Sequence, residues 1–202
     1  MMLKLFAIMT FGCIAVSGCS WQDFHLHRHG INSETPTISN DDACAAVRED
    51  VWLTEGDTLD SDRIRLLTWN TQKHGHAKLH DDLVRLSSDA DLVLLQEAVV
   101  DAEHLTRLDG GLYWNFAPGY IKAGTATGVM TASKVRPVGY CKLASMEPWL
   151  GSPKATSITR YALEGSQQSL LVINMHVINF TFSTDAPAKQ LAAALEYVDA
   201  HK

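Results

Sequence analysis

The sequence lacks long hydrophobic runs once its first 18 residues are set aside. Apolar stretches elsewhere, such as residues 92–95 and 170–173, are short, far below the roughly 20 residues that a membrane-spanning helix needs. Basic residues are also few, since 17 Lys and Arg stand against 23 Asp and Glu, a formal net charge of −6. Bulk charge therefore attracts neither nucleic acid nor anionic lipid, and a phosphate-bearing partner must be met by a local patch or a metal ion.

Proline is scarce as well and glycine is not enriched, with 6 and 13 residues among 202, and no segment repeats at a fixed period. Collagen-like, solenoid and low-complexity architectures are therefore excluded. The fractions of hydrophobic and charged residues, 46% and 20%, are those of a globular protein. We expect one folded domain with its own core, preceded by N-terminal segments of a different kind.

Residues 1–18 have the layout of a secretory signal peptide, because Lys4 precedes an apolar stretch and small residues follow. The segment ends in Val-Ser-Gly-Cys, which resembles the lipobox of bacterial lipoproteins, whose cleavage leaves Cys19 as a lipid-bearing N-terminus. An ordinary signal peptide with a chance cysteine is the alternative. The resemblance implies a membrane-anchored protein of the bacterial cell envelope that faces the periplasm, and Ser20 after the cysteine favours the outer membrane.

Cysteine is also rare, at four residues in the chain. Removal of residues 1–18 leaves Cys44 and Cys141 besides Cys19. An oxidising envelope favours a disulfide between Cys44 and Cys141. Two separate buried thiols are the alternative, because the sequence does not fix the distance between them.

Residues 19–61 are polar and show no sustained period, so we expect a tether with at most a short helix over residues 42–52. Within it His25, His27 and His29 alternate, and they either bind a transition metal or belong to a solvated linker. We favour the solvated linker, since metal ligands usually come from preorganised elements.

The rest of the chain alternates between strand and helix patterns. Buried strands, an amphipathic helix and Gly, Pro and Ser turn signals indicate an α/β class with a layered sandwich and mixed strand pairing. Strands are predicted over residues 64–69, 91–96, 113–117, 128–132, 138–143, 156–163 and 170–177, and helices over residues 78–88 and 101–108 and after Pro187. In the last helix one face is shared by Ala188, Leu191, Ala192, Leu195 and Val198.

Chemically useful side chains follow three of these strands. Asn70 ends the first, Glu97 ends the second, and Asn174 and His176 end the last. Functional groups often gather where strands of a sheet end. A carboxylate there suits a hard cation such as Mg²⁺, and an imidazole can transfer a proton or hold a phosphate.

The sequence blocks around these residues resemble the endonuclease/exonuclease/phosphatase superfamily. They are IRLLTWN at residues 64–70, DLVLLQE at 91–97, GVMTAS at 128–133 and NMH at 174–176. Over residues 62–202 the resemblance implies a four-layer α/β sandwich of the deoxyribonuclease-I-like type. It also implies phosphoester hydrolysis that depends on Mg²⁺ or Mn²⁺, as in a nuclease or phosphodiesterase.

Carried over residue by residue, the resemblance implies that Glu97 is the main metal ligand and that Asn70 contacts the metal site or the phosphate. His176 would face the scissile phosphate, and Asn174 belongs to the same catalytic block. Lys154 resembles a basic phosphate contact. The loop after Asn70 adds substrate contacts in this interpretation, through Lys73 and His74, with a solvated polar loop as the alternative.

Two parts of the family pattern do not occur after His176: a Gly-Asp-Xaa-Asn block, and a final Asp-His pair. We therefore expect the C-terminal part of the sandwich to be missing and this chain alone to be inactive or weakly active, because catalytic groups that act as a unit lose most of their effect together. The alternative is a non-enzymatic envelope lipoprotein that binds a partner or a phosphorylated ligand. Recognition of a specific DNA sequence is not expected.

Overall fold

The computed structural model describes residues 24–28, 37–38, 57–100, 112–122, 125–148, 153–179 and 183–199. Residues 1–18, Cys19, Cys44 and the helices predicted over residues 42–52 and 101–108 lie outside this part. The strands are β1 (Phe24–Arg28), β2 (Thr37–Ile38), β3 (Thr58–Leu59), β4 (Leu66–Asn70), β5 (Leu92–Val100), β6 (Tyr113–Lys122), β7 (Thr125–Ser133), β8 (Gly139–Met146), β9 (Pro153–Leu163) and β10 (Ser169–Met175). The α-helices are α1 (Leu79–Ser87) and α2 (Asp185–Asp199), and Gln72–His74 form a single turn of 3₁₀ helix.

The strands form two sheets of mixed pairing. A six-stranded sheet has the order β2-β1-β6-β7-β5-β4, in which β4 and β5 are parallel and the other neighbours antiparallel. A four-stranded sheet is centred on β9, which pairs with β10 and β8 in antiparallel and with β3 in parallel. The predicted α/β class with mixed pairing is confirmed.

Alternate side chains of β5 point to opposite faces of the six-stranded sheet, and both faces are buried there. Val93 and Leu95 pack on one face with Leu83 of α1, whose apolar residues recur at helical spacing. Leu92 points to the opposite face, where it packs with Tyr161 of the four-stranded sheet. Helix α1 therefore covers the outside of the six-stranded sheet, and the two sheets face each other.

The far side of the four-stranded sheet is covered by α2. Cys141 and Ile158 pack there with Tyr197 of this helix. The layers therefore follow the order helix, sheet, sheet, helix. Cys141 is also disulfide-bonded, and because Cys44 lies outside the described residues, its pairing with Cys141 stays a prediction.

Helix α2 packs through a different face from the one that its large apolar residues share. Its buried residues are Gln190, Ala194 and Tyr197, whereas Leu191 and Leu195 are 51% and 50% exposed. The side chain of Gln190 hydrogen-bonds to the segment after β10, and this polar contact belongs to the buried face. No helix in the described ranges is long and apolar enough to cross a membrane.

Gly128 of β7 lies against the backbone of Ala117 and Pro118 in β6. A Cβ atom at this position would lie 2.1 Å from the carbonyl oxygen of Ala117, so only glycine fits. The pairing of β6 with β7 shifts register just after Pro118, the partner of Gly128. The glycine therefore allows this irregularity within a buried sheet.

Part of the segment expected to be a tether belongs to the six-stranded sheet. Strand β1 pairs with β6 and β2 pairs with β1, which extends the sheet beyond β6, and β3 joins the other sheet. This corrects the expectation for residues 24–28, 37–38 and 58–59. Backbone pairing at a sheet edge needs little side-chain burial, so composition predicts such strands poorly.

Candidate functional site

Three side chains expected from the sequence meet at one end of the two sheets. Asn70 is the last residue of β4, Glu97 lies in the neighbouring β5, and His176 follows β10. Nδ2 of Asn70 donates to Oε1 of Glu97 at 3.3 Å, and Nε2 of His176 lies 3.6 Å from the same oxygen. The structure therefore brings together an amide, a carboxylate and an imidazole from both sheets.

Glu97 occupies an irregularity of β5. The pairing of β5 with β7 shifts register between Leu95 and Ala98, and Glu97 has a φ of 50°, a left-handed conformation that is uncommon outside glycine. A β-bulge re-aims a side chain relative to the alternation of its strand. Strain of this kind costs about 1–3 kcal/mol, persists where the surroundings impose it, and clusters at functional sites.

The buried side chain of Thr71 holds this bulge. Its hydroxyl oxygen lies 3.1 Å from the carbonyl oxygen of Gln96 and 3.0 Å from that of Glu97. Its backbone N–H also donates to the carbonyl of Gln96 at 2.9 Å. Thr71 was not among the residues predicted for the site, although its place directly after Asn70 is a signal that was available.

Asn174 supports the same bulge from the four-stranded sheet. Its Nδ2 lies 3.2 Å from the carbonyl oxygen of Leu95 and 2.9 Å from that of Met130, and its Oδ1 accepts from Nε2 of Gln96 at 2.7 Å. The side chain is 1% exposed and ties the two sheets together beside Glu97. In the structure the amide of Asn174 contacts two backbone carbonyls and Gln96, and the catalytic role expected from the sequence stays a prediction.

The turn after Asn70 carries two further left-handed residues, Gln72 with a φ of 49° and Lys73 with a φ of 57°. Oδ1 of Asn70 accepts the backbone N–H of Gln72 at 3.0 Å, which fixes the start of the turn. Nζ of Lys73 lies 5.7 Å from the ring centroid of Tyr120, and a hydrogen bond to Tyr120 raises the pKa of Lys73. Lys73 thus lies at the rim of the site, and the side chain of His74 lies outside the described part.

His176 lies between a cation and an anion. Its Nε2 is 3.5 Å from Nζ of Lys154 on one side and 3.6 Å from Glu97 on the other. Burial lowers the pKa of His176, and the charge of Lys154 lowers it further, whereas Glu97 and Glu147 oppose this shift. The lowered pKa favours the neutral imidazole, whose Nε2 can accept a hydrogen bond from the ammonium or donate one to the carboxylate, depending on the tautomer.

Two residues that the sequence analysis missed complete the surroundings. Oε1 of Glu147 lies 3.9 Å from Nζ of Lys154, with both side chains buried. Gln190 of α2 donates to the carbonyl of His176 at 3.1 Å and accepts the N–H of Ile178 at 3.0 Å. A carboxylate shortly after a predicted strand was the available signal for Glu147, and no comparable sequence signal indicates Gln190.

Glu97 and Asn70 fit a divalent cation of the predicted kind. Mg²⁺ takes oxygen ligands and is usually bound by one or two carboxylates together with waters and substrate phosphates. The side chain of Glu97 is 21% exposed, so water reaches it. Among the described residues no group of three or more His, Cys, Asp or Glu is placed to hold a metal. One carboxylate and one amide offer two oxygen donors, and Mg²⁺ or Mn²⁺ would need water and phosphate oxygens to complete its coordination.

The sequence is similar to proteins whose name states no activity. A UPF0294 protein of Vibrio parahaemolyticus is 36% identical over 135 residues, which cover 66% of this chain and 48% of the relative. A UPF0294 protein of Klebsiella pneumoniae is 37% identical over 139 residues, which cover 67% and 52%. The chain thus spans about half the length of the curated relatives it matches. No family model matches it.

Solved structures show a partial likeness. An endonuclease/exonuclease/phosphatase family protein from Leptotrichia buccalis C-1013-b superposes with a TM-score of 0.48 at 13% identity, over 65% of this chain and 63% of that one. TDP2 from C. elegans superposes with a TM-score of 0.46 at 15% identity, over 72% of this chain and 45% of that one.

Proposed function

We propose that this end of the two sheets is the site of a divalent-metal-dependent phosphoester hydrolase. The observation that carries the proposal is one continuous line of polar contacts, from Asn70 through Glu97 and His176 to Lys154. Its carboxylate, Glu97, has a strained backbone conformation. The sequence blocks that resemble the endonuclease/exonuclease/phosphatase superfamily contain three of these four residues. Phosphoester hydrolysis is the chemistry that such an oxygen, nitrogen and ammonium set serves.

Glu97 and Asn70 are proposed to hold Mg²⁺ or Mn²⁺. The carboxylate supplies charge, and the amide oxygen, which already accepts one N–H from Gln72, has a second lone pair for the cation or its water. When bound, the cation supplies Lewis-acid stabilisation of charge on a phosphoryl oxygen. The left-handed conformation of Glu97 holds its carboxylate in place before any ligand arrives.

Lys154 and His176 are proposed to meet the phosphate. The ammonium of Lys154 supplies positive charge where an acidic chain otherwise has little. The neutral imidazole of His176 can donate or accept a proton at Nε2, the atom that faces both Lys154 and Glu97. Lys73 at the rim is proposed to contact the substrate beyond the phosphate.

We also propose that the chain acts in the bacterial envelope, anchored to the outer membrane through lipid on Cys19. The signal-like residues 1–18 and the lipobox resemblance support this proposal. Fractionation of cells that express the full chain tests it, because the Cys19→Ala variant should leave the membrane fraction while the unchanged chain stays in it. Equal membrane retention of both chains would contradict lipid anchoring.

The hydrolase proposal is tested on the full chain purified in detergent. Mn²⁺ binding is measured by the relaxation of water protons, and cleavage is measured on bis-p-nitrophenyl phosphate and plasmid DNA with Mg²⁺ or Mn²⁺. The Glu97→Ala variant removes the proposed ligand. The matched control is Asp91→Asn, which changes a carboxylate in the same strand region far from the site. We expect Mn²⁺ binding and at most weak metal-dependent cleavage in the wild type and the control, and neither in Glu97→Ala.

The outcomes separate the two functions that the sequence left open. Mn²⁺ and phosphate binding without any cleavage favours the non-enzymatic binding role. Absence of Mn²⁺ binding by a folded wild-type chain, or equal binding by Glu97→Ala, overturns the proposed site.

A further inference from the structure

Glu147 is the most deeply buried carboxylate near the candidate site. It follows β8 and is 1% exposed, among the largest fully buried side chains that the structure describes. Its Oε1 faces Nζ of Lys154 at 3.9 Å and accepts the backbone N–H of Asn179 at 3.4 Å. The carboxylate therefore contacts two different parts of the chain that lead to the site.

The burial of this acid calls for a functional explanation. Removing a carboxylate and an ammonium from water costs several kcal/mol for each ion, and apolar residues of similar volume often give equal or greater stability. The pair between Glu147 and Lys154 is thus a weak source of folding free energy. It does hold the ammonium of Lys154 in one place, 3.5 Å from Nε2 of His176.

The contacts of Glu147 flank His176 on both sides. Lys154, held by the carboxylate, reaches Nε2 of the ring. Asn179, also held by the carboxylate, ends the segment that begins at His176, and Gln190 holds the middle of this segment through Ile178. One buried side chain therefore sets the position of the ammonium and helps to set the backbone that carries the imidazole.

We propose that Glu147 is a positioning residue that aims Lys154 and His176 at the phosphate without touching the substrate. The inference rests on the proposed function, in which Lys154 and His176 face the phosphate. The effect of Glu147 passes through Lys154 and the segment of residues 176–179. It does not involve Glu97, so cation binding and phosphate binding respond differently when Glu147 is changed.

The test measures two affinities on the full chain, that of Mn²⁺ alone and that of inorganic phosphate in the presence of Mg²⁺. Glu147→Gln keeps the size of the side chain and removes its charge. We expect phosphate affinity to fall about tenfold, as for the loss of a charge-assisted contact, while Mn²⁺ affinity stays within about twofold. Asp91→Asn, a charge-neutralising control at the other end of the sheet, should change neither affinity.

Two further variants keep the test decisive if Glu147→Gln folds poorly. Lys154→Met should weaken phosphate binding by itself, and adding Glu147→Leu to it replaces both charges with apolar groups that pack well. If Glu147 acts through Lys154, the second change should cause little further loss. In the ligand-free chain labelled with ¹³C in its histidines, the His176 ring resonance should move in Glu147→Gln and stay in place in Asp91→Asn.

Each result bears on one proposal. Unchanged phosphate affinity together with an unmoved His176 resonance in Glu147→Gln overturns the positioning role. Tighter phosphate binding in Glu147→Gln also overturns it, since it would show that the carboxylate merely opposes the anion. A wild-type chain that binds neither Mn²⁺ nor phosphate overturns the proposed function instead.

Discussion

One carboxylate, Asp91, directly precedes β5 and another, Glu97, lies in the later part of this strand. The surroundings of the two acids differ. At the start of the strand, Asp91 accepts the backbone N–H of Arg65 at 2.8 Å and two guanidinium N–H groups at 3.2 and 3.3 Å, and Lys134 adds a fourth contact at 3.5 Å. These partners hold the pKa of Asp91 at about 2. Both oxygens of this acid are used within the protein, so it serves the structure.

Glu97, within β5, has fewer and longer polar contacts among the described residues. Its nearest polar partners are Asn70 at 3.3 Å and His176 at 3.6 Å. In the part of the chain that the structure describes, the residues other than glycine with left-handed backbone are Glu97, Gln72 and Lys73, and all three lie at this end. Backbone strain and a carboxylate with few hydrogen-bond partners therefore lie at the same end of the sheet.

This comparison separates a carboxylate that is fully paired within the protein from the one that we propose as a metal ligand. An acid that saturates its hydrogen bonds inside the protein has no capacity left for a ligand. An acid that is held in a strained conformation with free oxygen lone pairs is preorganised for one, at some expense in stability. Substitution of Asp91 should therefore change mainly stability, and substitution of Glu97 should change mainly ligand binding.

The largest loss of stability is expected for Asn174→Ala. The change leaves the carbonyls of Leu95 and Met130 and the amide of Gln96 without their buried partner, which costs about 3 kcal/mol of the free energy of unfolding. Urea denaturation measures this loss. Mn²⁺ affinity should fall as well, because the bulge at Glu97 loses its support.

The matched control for that prediction is Asn115→Ala. Asn115 is also a buried amide that joins the two sheets, through Ser157 and Thr159, but it does not contact the bulge. We expect a comparable loss of stability with unchanged Mn²⁺ affinity. A similar loss of Mn²⁺ affinity in both variants would mean that general loosening of the sheets, rather than the bulge, controls the site.

Replacing Glu97 with glycine should separate stability from binding. Glycine adopts the left-handed conformation without strain, so Glu97→Gly should raise the free energy of unfolding by about 1 kcal/mol. Mn²⁺ affinity should fall about 100-fold or more, since even outer partners of metal ligands are worth 10- to 100-fold. Gln72→Gly is the control, with a similar gain and retained Mn²⁺ binding. A destabilised Glu97→Gly chain would contradict strain at this position.

A smaller effect is expected from Thr71→Val, which removes the hydroxyl with little change in shape. The carbonyls of Gln96 and Glu97 lose a buried donor, so stability should fall by about 1–2 kcal/mol and Mn²⁺ affinity should fall several-fold. Thr71→Ser retains the hydroxyl and should restore most of both properties. Failure of serine to restore Mn²⁺ binding would show that the methyl group of Thr71 matters more than its hydrogen bonds.

The smallest effect is expected from Asp91→Asn. Because the pKa of Asp91 is lowered from 3.8 to about 2 on folding, its charge stabilises the protein above about pH 4, and this stabilisation is lost as the pH falls towards 2. After allowance for solvent screening of the partly exposed pair, the effect at pH 7 is about 1 kcal/mol. Urea denaturation at several pH values should show a shallower acid decline in the variant. Identical declines in both chains would contradict the assignment.

Sequence patterns could predict the elements that carry the site, because β4 and β5 are short apolar runs and each is followed or interrupted by a polar residue. Asn70, Glu97 and His176 were found this way. The bulge could not be predicted, since a left-handed glutamate leaves no mark on the pattern of apolar residues. It depends on Thr71 and Asn174, which come from separate parts of the chain.

The other differences between the predictions from sequence and the structure also arise from tertiary contacts. Glu147 comes near Lys154 because β8 and β9 form a hairpin in which Ser145 pairs with Lys154, and the strand pattern ended before this acid. Leu191 lies on the exposed side of α2 because the helix packs on the rest of the fold through Gln190 and Tyr197. Strand β1 does show a brief alternation of apolar and polar residues, but its pairing with β6 depends on an open sheet edge.

The most direct measurement is a Mn²⁺ titration of the full chain with one charge neutralised at either end of the sheet. Glu97→Gln and Asp91→Asn make the same chemical change, and urea denaturation of each reports stability alongside. The account predicts that Glu97→Gln loses Mn²⁺ binding and keeps its stability, whereas Asp91→Asn keeps Mn²⁺ binding and loses stability. Retained Mn²⁺ binding in Glu97→Gln, or its loss in Asp91→Asn, would contradict the assignment of the site.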